Sequence, residues 1–242
     1  LRSKTTALMF FAMAFFASRA PTRAFVLKPA GATGRLPGVL ALHDHGVFKF
    51  FGKEKNVRTG GPLHPLVAQH QAEFYGDRAW ANELARQGYV VLVHDAFAFG
   101  SRRVRLGEVS DELPGGGFDD ADDSVAGVQA YNAWAAEHEH VMAKSLFSAG
   151  TTWPGVFFNE DRTALDVLCA RADVDATRIG VGGLSGGGLR TVFLAGLDER
   201  VTCAVCVGMM TTWRDFVLSK SYTHTWMCYV PHLPRELDYP EI

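Results

Sequence analysis

Continuous apolar runs alternate with amphipathic stretches along this chain. Gly38 to His43 and Tyr89 to His94 are unbroken runs of the kind that a central parallel strand, buried on both faces, requires. A third run opens at Ile179 and Val181, and a fourth, Val201 to Val207, reads as another buried strand. Ala24 to Pro29 reads as a shorter strand stopped by its proline. Between these runs the apolar period changes to that of a helix. Asp77 to Gln87 puts Trp80, Leu84 and Ala81 or Ala85 on one face, with Gly88 as the stop; Asn159 to Arg171 turns Ala164, Leu165, Leu168 and Cys169 inward; Leu189 to Ala195 has the spacing of a buried helix. Ser124 to Lys144 predicts one longer helix, and Asp173 to Arg178 a connection. Apolar strands separated by helices imply βαβ units, hence an α/β fold with a mostly parallel central sheet flanked by helices.

The chemistry concentrates where the third strand turns into a helix. Gly183-x-Ser185-x-Gly187 is the pattern of a nucleophile elbow, and here it has the strand–turn–helix context that the pattern needs. A serine on so sharp a turn requires small neighbours, because the backbone packs close to adjacent strands. The turn exposes the hydroxyl of Ser185, and the N–H of Gly186, at the helix start, can bind a developing oxyanion. No G-x-G-x-x-G register fits Gly180 to Gly188, and the chain has no G-x-x-x-x-G-K-[ST], so a nucleotide-binding reading fails.

Length and composition narrow the field further. A chain of 242 residues can bury one substantial core, and 48% hydrophobic with 21% charged residues is ordinary globular usage. A net charge of −2 gives no general attraction to nucleic acid or to an anionic membrane. Cys203 and Cys206 have C-x-x-C spacing, but strand residues three apart point to opposite faces, so they read as small core residues. The acidic, glycine-rich stretch from 111 to 123 lacks calcium-loop spacing and reads as solvated surface within a lid-like insertion around 101–158. Residues 1–21 admit two readings. Arg2 and Lys4 before the apolar stretch Ala7 to Ala17 look like a signal peptide, which would make the protein secreted; alternatively, Phe15 to Ser18 is a first strand hairpinned to Thr22 to Lys28, consistent with a cytoplasmic protein. The second reading is followed here, with 22–242 as one domain.

With His43-Asp44-His45-Gly46 after a buried strand, an aromatic-rich loop, a second strand ending in His94-Asp95, and Gly183-Leu-Ser-Gly-Gly187, the chain resembles the α/β-hydrolase superfamily. Arg178-Ile-Gly before the elbow and Leu197-Asp-Glu-Arg200 after it look most like the branch of dienelactone hydrolases and acetyl xylan esterases. The resemblance implies Ser185 as nucleophile, the Gly186 N–H as one oxyanion donor and the Val47 N–H as the second. It implies a small-molecule ester as substrate and no cofactor. Two histidines at i, i+2, His43 and His45, lack a nearby third ligand, so no metal is expected. Phe48, Phe50, Phe51, Phe97, Phe99, Trp153 and Trp213 suggest an apolar or carbohydrate-ester face.

The resemblance also implies a triad ordered Ser, then Asp or Glu, then His. Downstream of Ser185 the chain offers Asp198, Asp215, Asp238, His224 and His232, none on a strand that would set it beside the serine. The expectation is therefore a hydrolase lacking its last strands, with acid and histidine beyond Ile242 and an exposed sheet edge. Two other readings share the elbow: a prolyl-oligopeptidase-like serine peptidase, and an inactive hydrolase fold used for binding.

Overall fold

The computed structural model describes residues 22–110, 112–222 and 224–242. Five strands form one sheet: β1 (Ala24–Leu27), β2 (Leu36–Leu42), β3 (Val90–His94), β4 (Val174–Leu184) and β5 (Val201–Val207). Their spatial order is β1-β3-β2-β4-β5. All neighbouring pairs are parallel except β1 with β3. The hairpin partner expected for the first strand, Phe15 to Ser18, lies outside the described residues.

Seven α-helices are described: α1 (Pro65–Tyr75), α2 (Trp80–Arg86), α3 (Val125–Glu137), α4 (Glu139–Ser148), α5 (Trp153–Cys169), α6 (Gly186–Leu197) and α7 (Trp213–Ser219). The period of two along the central strands sorts the core into two layers. Leu40, Leu42, Val90, Leu92, Ile179 and Val181 face α5 and α6 through Leu165, Leu168 and Leu194. Ala41, Val91 and Val93 face the opposite way, onto Ala81 and Ala85 of α2. Helices on both faces of a parallel sheet follow from strands that are apolar on both sides.

Several element boundaries differ from the sequence reading. α2 starts at Trp80 instead of Asp77, because Asp77 takes a positive φ of 60° and closes the end of α1. α1 itself was not foreseen; His64 caps it by accepting from the Leu66 N–H, and Pro65 occupies its first turn. The helix expected over Ser124 to Lys144 is two helices broken at His138, whose Nδ1 lies 2.8 Å from the Trp134 carbonyl oxygen. α5 begins six residues early, at a Thr152 cap. Asp173 to Arg178 is mostly strand, the entry to β4. β5 forms where expected but is not buried: it is the sheet edge, with Cys203 exposed and Val205 56% exposed.

Candidate active site

β2 and β4 are neighbours, and the chain runs to β3 on one side of β2 before returning to β4 on the other. Such a reversal opens a crevice at the carboxyl ends of the strands, where open α/β sheets bind ligands. In this crevice the end of β2 delivers His43, Asp44 and His45, and the end of β4 delivers Ser185. The register aligns Leu42 with Gly183.

Ser185 has φ 54° and ψ −112°, a conformation that costs an L-residue free energy and persists only where its surroundings fix it. Here the Ser185 N–H donates to the Val207 carbonyl at 2.7 Å, and its carbonyl accepts from the Leu189 N–H at 2.9 Å in the first turn of α6. The flanking glycines are required by contact. A Cβ on Gly183 would lie 2.5 Å from the Leu42 oxygen, and one on Gly187 would lie 2.3 Å from the same atom. A Cβ on Gly186 would lie 2.9 Å from the backbone nitrogen of His45. The turn after β2 is therefore pressed against the start of α6.

His43, Asp44, His45, Ser185 and Gly186 line a small open pocket together with Phe99, Phe157, Arg190, Met209, His224 and Cys228. The N–H groups of His45 and Gly186 have no acceptor among the described residues. Of the expected site residues, Ser185 and Gly186 come together here. Val47 does not: its N–H donates to His45 Nδ1 at 3.0 Å, it lies outside the pocket, and it is 59% exposed. The reason lies in the backbone, since Gly46 and Val47 both take positive φ and carry the chain away from the elbow.

The His45 ring is held at both nitrogens. With Nδ1 accepting from Val47, Nε2–H donates to Glu139 Oε1 at 2.6 Å. Glu139, the first residue of α4, also pairs with Lys49 at 2.6 Å and accepts from the Thr225 hydroxyl at 2.5 Å and the Trp226 N–H at 3.0 Å. Burial alone would raise its pKa, but His45 and Lys49 hold the carboxyl well below the usual range. One carboxylate thus ties the turn after β2 to the segment that supplies Thr225 to the pocket wall.

His43 is buried and structural in its contacts. Its Nε2 accepts from the Ala96 N–H at 3.2 Å, which leaves Nδ1–H to donate to the Asp44 carbonyl at 3.0 Å. Burial, with Arg190 and Lys55 nearby, pushes its pKa well below the usual value. Asp44 accepts from His70 Nε2 at 3.0 Å and from the Tyr75 hydroxyl at 2.6 Å. Near Ser185, Arg190 of α6 forms a two-pronged pair with Asp161 of α5, Nε to Oδ2 at 3.0 Å and Nη2 to Oδ1 at 2.5 Å. His94 Nε2 lies 2.9 Å from Asp161 Oδ1.

Ser185 Oγ has no hydrogen-bond partner among the described residues. Of the downstream candidates, His224 lines the pocket, its ring tilted against Phe216 with centroids 5.4 Å apart, and burial lowers its pKa. His232 and Asp215 are exposed, Asp198 pairs with Arg200 at the far end of α6, and Asp238 accepts from the Trp213 N–H at 2.7 Å. Cys228 also lines the pocket, but burial pushes its thiol up to about 12, so it stays protonated at neutral pH. Most of the aromatic residues noted in the sequence pack in the core; Phe99 is the one that reaches the pocket wall. Sequence reasoning missed Glu139, Lys49, Asp161 and Lys55, each distant in the chain from the elbow and in no motif with it.

No family model matches this chain. It is 28% identical over 222 residues to the Bacillus subtilis (strain 168) protein named "Putative hydrolase YtaP", covering 90% of this chain and 59% of that protein. A crystal structure of "a putative acetyl xylan esterase (BF1801)" from Bacteroides fragilis superposes with a TM-score of 0.64 at 14% identity, covering 99% of this chain and 64% of that one. The chain thus spans about three fifths of the length of each. Sheet order, a strained serine between the β4 strand and the α6 helix, and the match over nearly the whole chain converge: the chain is built on the α/β-hydrolase fold.

Proposed function

We propose that this protein is a serine hydrolase acting on small carboxylic esters through an acyl-enzyme. The observation that carries the proposal is the strained Ser185, sharing one pocket with two backbone N–H groups that have no other acceptor. Ser185 Oγ attacks the ester carbonyl carbon, and the carbonyl oxygen takes the negative charge. The N–H groups of Gly186 and His45 receive that oxyanion; His45 replaces Val47, the second donor expected from the sequence. Collapse of the tetrahedral species expels the alcohol, and water then releases the acyl group as a carboxylate.

Proton removal from Ser185 falls to an imidazole. The triad order implied by the resemblance puts that imidazole after Ser185 in the chain. Among the described residues His224, in the pocket wall, is the candidate. It is tested by labelling the full-length protein with a fluorophosphonate beside a His224→Ala variant: equal rates remove His224, and a fall of about 100-fold or more assigns it the base. Ester chemistry is tested against peptide chemistry with 4-nitrophenyl acetate and a dipeptide 4-nitroanilide on the full-length protein. The proposal expects turnover of the ester at least tenfold above that of the anilide, and the reverse order would overturn it.

A further inference from the structure

We propose that Lys55 is the positioning residue of the oxyanion hole, aiming the His45 N–H at the reacting carbonyl by gripping the far side of the same peptide. The inference rests on the serine-hydrolase reading above and names a residue that no motif marks.

Lys55 is fully buried, in a short turn that follows the aromatic loop after β2. Its ammonium donates to the Asp44 carbonyl at 2.8 Å and to the His45 carbonyl at 3.0 Å. Its remaining proton has the Asp44 carboxylate at 3.7 Å and the face of Phe99, whose centroid is 4.8 Å away. A buried ammonium spending two of its three donors on consecutive carbonyls of one turn fixes the planes of the peptides that carry them. In a trans peptide the C=O and the following N–H point in opposite directions. With the Asp44 carbonyl held towards Lys55, the His45 N–H is held away from it, on the side where the start of α6 packs. That N–H has no other acceptor among the described residues, so its direction is set from behind, by Lys55.

Two other donors reach the same carbonyls. His43 Nδ1–H shares the Asp44 carbonyl, at 3.0 Å, and the Phe48 N–H shares the His45 carbonyl, at 3.1 Å, but each bonds one carbonyl only. Among the described residues Lys55 alone bridges the two. The charge adds to the geometry, because an ammonium on the carbonyl oxygen polarises the peptide and strengthens its N–H as a donor.

The test uses Lys55→Met, which keeps length and removes every donor, and Lys55→Met/Asp44→Asn, which also removes the carboxylate left without its cation if the single variant does not fold. Crystal structures of whichever variants fold read the orientation of the peptide between Asp44 and His45 without needing turnover. The proposal expects that peptide to rotate, taking the His45 N–H off the pocket; an unchanged orientation overturns it. In kinetics on a 4-nitrophenyl ester with the full-length protein, kcat falls about 100-fold with KM within twofold, the pattern of a donor used only at the oxyanion stage. A rotated peptide with kcat within threefold of wild type also overturns the role. A wild-type protein without esterase activity refutes the ester reading separately, while the structures still decide what Lys55 does to the peptide.

Discussion

At the scale of single residues the site depends on what Gly186 lacks. Its missing Cβ would sit 2.9 Å from the His45 nitrogen, so Gly186→Ala must separate α6 from the turn after β2. Separation removes one oxyanion donor from reach, and the expected loss is about 10²- to 10³-fold in kcat with little change in KM. The measurement is steady-state kinetics on a short ester; a loss below threefold would contradict the assigned donors. Glu139 gives the pH prediction. Its carboxyl is held well below the usual range in the folded protein, so the unfolded chain binds the proton more readily. The associated stability is therefore fully present above about pH 5 and is lost as the pH falls. Urea unfolding from pH 7 to pH 3 should show a steeper loss for wild type than for Glu139→Gln, and parallel curves would refute the linkage.

Among elements, the fixed relation is that of α5 to α6. Arg190 and Asp161 form a buried pair near Ser185, with His94 closing the group. Arg190→Met would leave the Asp161 carboxylate buried beside a single imidazole, at a cost of about 3–5 kcal/mol. Asp161→Asn in the same background would restore part of that, and denaturant unfolding of the two variants checks the order. The elements also mark what was legible in the sequence. β2, β3, β4 and the α6 helix were readable because parallel strands buried on both faces leave unbroken apolar runs, and because the elbow needs glycines at fixed spacing. α1 and α7 were not, since each depends on a cap, His64 or Thr212, and not on a strong apolar stripe. The break at His138 was also hidden, because the apolar pattern continues across it while the backbone turns to place Glu139 on His45. The turn proposed to hold the oxyanion is only half legible: the motif points to it, but which N–H faces the serine depends on the positive φ of Gly46 and Val47.

For the molecule as a whole, the consequential element is β5. Val201 to Val207 is uncharged and apolar, which reads as a central strand, yet it stands at the edge with Val205 and Val207 exposed. An uncharged parallel edge templates association. Val205→Lys should lower concentration-dependent self-association in sedimentation velocity, and an identical profile would show that the edge is covered in solution. The chain spans about three fifths of its relatives' lengths, so the central claim is best put to the nucleophile itself. Intact mass of the full-length protein after fluorophosphonate treatment, beside Ser185→Ala, is that measurement. The account predicts a single adduct that maps to Ser185 and disappears in the variant. A folded full-length protein that takes up no adduct, or one that keeps its adduct when Ser185 is alanine, would contradict it.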